Sequence, residues 1–205
     1  MEVNQSAARL GYHHGNLRSA LIEAGLDALA AGGTRALSLR LLAREVGVTA
    51  NAAYRHFENK DDLLDAMAAE GFRCFAADQA QAVEALEDKG ERLRALGKAY
   101  IAFARQRPAL FRLMFNRIAV NVKHEELAQA SVQALSWLLS ASSQVIRAPV
   151  SDERTVVAAA ACWGMVHGLS DLALGGQLAA LGMDIDVLIE RVMALPSMLA
   201  AQSQV

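Results

Sequence analysis

The clearest hydrophobic pattern in the chain is a short amphipathic segment that begins near residue 38. Apolar side chains recur there at the spacing i, i+3, i+4 and i+7, at Leu39, Leu42, Ala43 and Val46. This spacing predicts a short helix with one buried face. Gly47 follows where the chain must leave that helix, a position that commonly takes a positive φ. The pattern therefore predicts a short helix that ends in a tight turn.

A second short helix is predicted over residues 50–57, and its surface carries polar groups rather than apolar bulk. Ser38 and Thr49 stand where the N-caps of the two helices are expected. Small residues such as Ala52 and Ala53 let the backbone approach a groove closely. Side chains that can bond to phosphates or base edges are Thr49, Asn51, Tyr54, Arg55 and His56. The two segments together predict a helix-turn-helix, with residues 50–57 as the recognition helix.

A third helix is predicted to begin at Lys60, because residues 59–62 resemble a capping box with Asp62 in the usual Glu position. Its first turn would offer free amides, and Lys60 an ammonium, to a phosphate. Apolar residues continue along one side of this segment as far as Phe75. We expect one long helix to about Leu86 that connects two domains.

The rest of the chain has the helical period and no alternating strand pattern of useful length. A first helix is predicted over 16–31, and residues 1–11 show no periodicity. The three prolines lie far apart, and Pro108 can open a helix at its first position. Further helices are predicted over 91–106, 108–116, 124–147, 152–174 and 184–201. The fold class is therefore all-α, with about nine helices.

Charge is distributed unevenly along a chain whose net charge is -2. Residues 1–60 hold seven Lys and Arg against five Asp and Glu, a balance of +2, whereas the remainder holds thirteen against seventeen, a balance of -4. The hydrophobic content of 54% is ample for a sizeable core. The modest positive balance at the N-terminal end predicts a limited number of phosphate contacts per subunit.

Several classes of protein are disfavoured by what the sequence lacks. Cys74 and Cys162 have no metal-like spacing, which disfavours a zinc site or a disulfide scaffold and suits the reducing cytoplasm. His13 and His14 have no further ligand residues nearby. We expect no signal peptide, and the apolar tract 155–170 falls short of the length expected of a membrane span. No metalloprotease, di-iron, phosphate-loop or nucleophile-elbow motif occurs. We expect a cytoplasmic protein that is not an enzyme and has no metal, cofactor or membrane partner.

The segment from Tyr12 to about Leu64 resembles the DNA-binding domain of TetR-family repressors. The matching features are the Tyr-His-His-Gly arm at 12–15, Ser38 with Arg40, the Gly-Val-Thr turn at 47–49, the Tyr-Arg-His-Phe stretch at 54–57, and Lys60. The resemblance implies that Tyr54, His56 and Lys60 hold backbone phosphates, with a further contact from Arg40. It also implies that Thr49, Asn51 and Ala52 face the bases, and Arg55 is a further candidate for DNA contact.

The chain departs from the usual family pattern early in the recognition helix. The family usually has Ser or Thr, then Lys, Pro or Ala, then Gly or Ala, whereas this chain has Thr49, Ala50, Asn51 and Ala52. Asn51 is therefore a candidate specificity determinant of this protein. Ordinary structural roles stay open for single residues: Phe57 and Tyr54 could be core aromatics, and Arg40, Arg44 and Arg55 could be solvated charges.

Two further segments, 107–115 and 163–169, resemble a TetR-family C-terminal domain with a Trp-His-Gly signature, the WHG subfamily. Such domains dimerise and often bind a small effector. The resemblance implies three regions: a flexible arm at 1–12, a helix-turn-helix domain at 13–60, and a helical effector-binding and dimerisation domain at 61–205.

An apolar effector pocket is one interpretation of the aromatic and sulfur-containing residues in the C-terminal region. The candidates are Tyr100, Phe103, Phe111, Met114, Phe115, Trp137, Trp163 and Met165, with His167 to orient the ligand. The alternative is that most of them are core side chains, with His167 bonded to a neighbour such as Asp171 one turn later.

Gly164 and Gly168 leave a smooth stripe on one helix, which favours a homodimer formed by the last two long helices. A two-fold dimer predicts a palindromic operator on double-stranded DNA. The function implied is a repressor released by a small, largely apolar effector. The alternatives are a chromosome-organising DNA-binding protein of the same fold without a small-molecule switch, and a ligand-carrying protein that has lost DNA binding.

Overall fold

The structure is a computed structural model that describes residues 17–121, 124–182 and 184–202. In these ranges the chain is helical and contains no strand, as the sequence predicts. The α-helices are α1 Leu17–Gly32, α2 Leu39–Glu45, α3 Ala50–Tyr54, α4 Lys60–Val83, α5 Lys89–Gln106, α6 Pro108–Val120, α7 Glu125–Ile146, α8 Glu153–Leu174 and α9 Ile185–Gln202. The expected N-terminal arm, with His13 and His14, lies outside the described residues.

The chain divides into two compact units, one up to Met67 and one from Ala68 onward. The division falls inside α4 rather than at its first turn. Leu63 and Met67 are fully buried, and a Cβ added at Gly25 of α1 would stand 2.9 Å from the Met67 Sδ atom. The first two turns of α4 therefore belong to the core of the N-terminal unit.

The helix-turn-helix forms at the predicted place. Gly47 has φ 78°, and the Val48 amide reaches back to the Ala43 carbonyl at 2.8 Å, which ends α2. The Thr49 hydroxyl then caps α3 by accepting a hydrogen bond from the Ala52 amide at 3.3 Å. Ser38 stands at the N-cap position of α2, but its side chain makes no capping bond, so the prediction for that hydroxyl is corrected.

The predicted capping box forms at the start of α4, but the Asp62 side chain bonds to a different backbone amide from the one expected. The Asn59 side chain accepts a hydrogen bond from the Asp62 amide at 3.0 Å. The Asp62 carboxylate in turn accepts one from the amide of Glu58, at 3.0 Å, and thus reaches one residue further back than a standard box. Two amides near the helix start are thereby satisfied. The helix ends at Val83, three residues before the predicted end.

In the C-terminal unit, α5, α7 and α8 pack against one another. Helix starts there have identifiable caps: Asp88 for α5, His124 for α7 and Asp152 for α8 each accept a backbone hydrogen bond. Pro108 occupies the first turn of α6, as predicted. Helix α6 continues to Val120 rather than ending at Asn116, because residues 117–120 include no glycine or proline to break it.

Candidate DNA-binding surface and effector cavity

The predicted DNA-contacting residues form an exposed polar surface in the N-terminal unit. Helix α3 is shorter than predicted and covers only Ala50–Tyr54, so Arg55 and His56 lie in the turn that follows it. Ala52 is half-buried. The other candidates are all exposed: Arg40, Thr49, Asn51, Tyr54, Arg55, His56 and Lys60. Every side chain that the sequence singled out for its hydrogen-bonding groups is thus accessible to a ligand.

Two aromatic residues three positions apart take opposite roles. Phe57 is 1% exposed and packs in the core, and Arg18 of α1 lies over its ring at 5.4 Å. Tyr54 is 44% exposed. The fully buried Ala53 lies between the segment's exposed residues and the core. The core interpretation therefore holds for Phe57 and not for Tyr54, whose phenol is available at the surface.

Lys60 already has one partner in this unit. Its Nζ donates a hydrogen bond to the backbone carbonyl of Thr34 at 2.6 Å. An ammonium group has three donors, so this bond positions the charge and leaves capacity for an anion. The sequence pattern could not have indicated this contact, since Thr34 precedes Lys60 by 26 residues.

The C-terminal unit contains a cavity of about 540 Å³ with a mainly apolar wall. Residues from six helices, α4 to α9, line it. The apolar members include Phe72 and Phe75 of α4, Leu93 and Leu96 of α5, Ile118 of α6, Leu135 and Leu138 of α7, Val166 of α8 and Met193 of α9. A volume of this size lies within the range of about 300–1,000 Å³ typical of small-molecule sites.

Only some of the residues predicted to bind a ligand line the cavity. Tyr100, Phe115, Trp163 and Met165 line it. Phe103, Phe111 and Met114 are buried and do not line it. Trp137 is also elsewhere: it packs against the cluster formed by Val83, Leu96 and Ala141. These four residues therefore do not line this cavity, and ligand contact by them stays a prediction.

His167 does not line the cavity, and its hydrogen-bond partner differs from the one suggested by the sequence. The Nδ1 atom lies 2.7 Å from the Tyr100 hydroxyl oxygen, so the bond is to Tyr100 of α5 and not to Asp171. The Trp163 Nε1 group donates to the same hydroxyl at 3.3 Å. Burial raises the pKa of Tyr100 well above its ordinary value, although the bond from Trp163 opposes this. The phenol is thus held neutral, and it fixes both rings.

The sequence analysis missed a polar residue on the wall. Gln79 of α4 is 4% exposed and lines the cavity, and its Oε1 atom has no hydrogen-bond partner. With Phe72 and Phe75 it follows the i, i+3, i+7 spacing of one helical face. A glutamine that continues an apolar stripe was the signal that could have indicated it.

The charged residues on the cavity wall are acidic in balance. They are Asp88, Glu91 and Arg94, and the guanidinium of Arg94 is paired with the Glu91 carboxylate at 2.5 Å. Cys162 also lines the cavity, and burial raises its pKa, so its thiol is protonated and unreactive near neutral pH. Among the described residues, no three metal-ligating side chains lie together.

Helix α8 has an apolar face that nothing in the described chain covers. Val156, Val157 and Leu172 are exposed, and a Cβ added at Gly164 or Gly168 would meet no atom within 4 Å. By length and composition alone, this helix could also cross a membrane. Core helices of soluble proteins pass the same test, so the apolar face is the more specific observation.

Comparisons with known proteins agree with this architecture. Residues 21–67 match the family model described as bacterial regulatory proteins, tetR family. Residues 93–195, half of the chain, match the model described as tetracyclin repressor-like, C-terminal domain. The Trp-His-Gly signature stays a prediction, because neither description names it. No curated protein matches the chain significantly.

Solved structures with the same fold cover most of the chain. A protein with unknown function from Rhodococcus sp. RHA1 is 28% identical, with a TM-score of 0.78, over 92% of this chain and 96% of that one. The TetR family transcriptional regulator PfmR from Thermus thermophilus is 18% identical, with a TM-score of 0.60, over 85% and 95%. A protein described as a possible TetR family transcriptional regulator from Streptomyces coelicolor A3(2) is 20% identical, with a TM-score of 0.62, over 90% and 99%.

Proposed function

The chain belongs to the TetR family of DNA-binding transcriptional regulators, and from this premise we propose that it is a repressor with a small-molecule switch. In this proposal a homodimer binds a palindromic operator in the cytoplasm and leaves it when a largely apolar effector fills the cavity. The observation that carries the proposal is the presence, in one chain, of an exposed polar surface around α3 and an apolar cavity of about 540 Å³ in the other unit.

The DNA contacts divide into two kinds. Tyr54, His56 and Lys60, with Arg40 and Arg55, hold phosphates and set the register of the protein on the duplex. Thr49, Asn51 and Ala52 face base edges in the major groove. The side-chain amide of Asn51 can accept one hydrogen bond from an adenine and donate another to the same base. The exposure of these side chains supports the assignment.

The dimer forms through α8 and α9. The uncovered apolar face of α8 supports this, because it exposes Val156, Val157 and Leu172 beside two glycines that permit close approach. Such an interface places two recognition helices in successive major grooves, which requires an operator with two-fold symmetry.

The effector acts through α4. This helix begins at Lys60, in the proposed DNA-contacting set, and its later turns line the cavity with Phe72, Phe75 and Gln79. A ligand lowers operator affinity only by the difference between its affinities for the two conformations. Binding that favours one position of α4 therefore changes the spacing of the half-sites.

The proposal is tested by selecting binding sites from a randomised duplex pool at a stated salt concentration. We expect enrichment of a two-fold symmetric site. Lys60→Ala should weaken binding to every sequence and reduce the salt dependence, since it removes a phosphate contact. Asn51→Ala should instead change which sites are enriched. Weak, salt-sensitive binding without enrichment would contradict the proposal.

Genome-wide occupancy separates the repressor from the alternative role in chromosome organisation. One or a few sites near promoters support a local repressor, whereas many dispersed sites support the alternative. A titration in which no small molecule alters operator occupancy would contradict the switch and leave DNA binding intact.

A further inference from the structure

We propose that the cavity selects neutral molecules with an apolar body and a hydrogen-bond donor, such as a hydroxyl or an amide N–H, and that Gln79 recognises the donor. This inference rests on the proposed function, because it assigns a ligand class to the cavity that the proposal treats as the effector site.

Gln79 is the residue whose hydrogen bonding the protein leaves incomplete at this wall. Its side chain is buried, it lines the cavity, and its Oε1 atom has no partner in the described chain. Leaving a buried carbonyl oxygen unpaired is destabilising, so such atoms usually have a partner from the protein, from water or from a ligand. An acceptor that is unsatisfied in the protein favours a ligand with a donor.

The position of Gln79 suits this role. Phe72 and Phe75 precede it on the same face of α4 and also line the cavity, so a bound molecule that contacts these rings comes close to the amide. In the structure the Oε1 atom itself is fully buried. The last torsion of a glutamine side chain is broad, so the carboxamide can turn this oxygen towards a donor in the cavity.

The charges on the wall disfavour ligands that carry a carboxylate. Arg94 is the only cationic residue among the described lining residues, and Glu91 already pairs with it. Asp88 adds a second acidic group. A carboxylate buried here would lose its hydration without gaining an unpaired cation, and this costs more than burying a hydroxyl. The acidic balance of the wall therefore favours a neutral head group.

The test uses three probes with the same ten-carbon chain: decanol, which donates and accepts; decyl methyl ether, which only accepts; and decanoate, which is an anion. Binding to the full-length protein is measured by calorimetry, with tryptophan fluorescence as a second readout because Trp163 lines the cavity. We expect decanol to bind about tenfold more tightly than the ether, the usual effect of one hydrogen bond to a buried group. Decanoate should bind more weakly than decanol.

Gln79→Met is the decisive variant, because methionine has a similar length and flexibility and no amide. We expect the preference for decanol over the ether to disappear. Gln81→Met is the matched control: it makes the same change two residues away, at an exposed position of α4, and should leave the preference intact. Thermal unfolding of both variants checks that they fold, and the comparison of probes on the unmodified protein needs no variant at all.

Each outcome has a definite meaning. Equal affinity for decanol and the ether, a preference that survives in Gln79→Met, or no binding of any probe would overturn the inference. None of these results bears on DNA binding, which is measured on the same preparation with the selected operator. Conversely, binding of decanol that depends on Gln79 but leaves operator occupancy unchanged would uphold the ligand class and show that filling the cavity with decanol does not release the operator.

Discussion

The two units of this protein use polar side chains in opposite ways. In the N-terminal unit the candidate functional groups stand on the surface, above a core that includes Phe57 and Leu63. In the C-terminal unit the candidate groups face inward, where a few polar atoms lie among aromatic and aliphatic side chains. A surface site depends on local sequence, whereas an internal site depends on how distant helices pack.

Two tyrosines illustrate the difference. Tyr54 is 44% exposed, and its hydroxyl is free to meet a phosphate. Tyr100 is 6% exposed, and its hydroxyl is shared between His167 and Trp163. The same functional group is thus exposed at the surface in one unit and engaged in internal hydrogen bonds in the other.

The largest expected effect separates core aromatics from cavity aromatics. Phe103→Ala should lower the free energy of unfolding by about 3–5 kcal/mol, because the ring is fully buried in the core. Phe115→Ala should cost clearly less, since that ring is half-buried and already borders a cavity. Urea denaturation of both variants gives the comparison. Equal losses would mean that the cavity wall is as tightly packed as the core.

The second prediction compares the replacement of each of the two tyrosines by phenylalanine. Tyr100→Phe should destabilise the protein by about 2–3 kcal/mol, because His167 Nδ1 and Trp163 Nε1 lose a shared partner. Tyr54→Phe should leave stability within about 0.5 kcal/mol and weaken operator binding instead. Urea denaturation measures the stability of each variant, and DNA titration measures its affinity for the operator. A stability loss at Tyr54 would place it in the core.

Alkaline pH provides an independent check on Tyr100. The folded state raises the pKa of this phenol, so it holds the proton more tightly than the unfolded chain does. The resulting stabilisation is complete below the ordinary pKa of 10.0 and is lost as pH rises above it. The loss of stability between pH 9 and pH 11, about one unit on either side of that value, should be smaller in Tyr100→Phe.

A fourth prediction concerns specificity in the N-terminal unit. Asn51→Ala should reduce discrimination at one base position by about tenfold, because an alanine cannot make the paired hydrogen bonds of an amide. Stability should not change, since Asn51 is exposed. The same substitution at the exposed Asn116 of α6 is the control and should leave the selected sites unchanged. Altered site selection in the control would show that the effect is not local.

The smallest expected effect on stability is at Gly47, in the turn that precedes α3. Gly47→Ala should cost about 1 kcal/mol, because φ is 78° and a Cβ is strained there. Gly47→Asn should cost less, as asparagine tolerates the left-handed region better. Thermal unfolding compares the two. If the two substitutions are equally destabilising, the positive φ of Gly47 is not the cause of the loss of stability.

The sequence determined the helices and the helix-turn-helix. Periodicity set the helix faces, Gly47 and Pro108 marked a turn and a helix start, and Thr49 and Asn59 capped the helices they precede. Such signals act within four or five residues, so they are visible in the linear chain. The polar residues around α3 are exposed because the apolar positions of the same short segment face the core.

Only the tertiary structure decided which aromatic residues line the cavity and which polar atoms meet. Phe103, Phe111 and Phe115 are equivalent by composition, yet only Phe115 reaches the cavity wall. Tyr100 and His167 are 67 residues apart in the chain, and no local pattern links them. The physical reason is that a cavity is the space left between six packed helices, so its wall depends on the placement of each helix and not on any one segment.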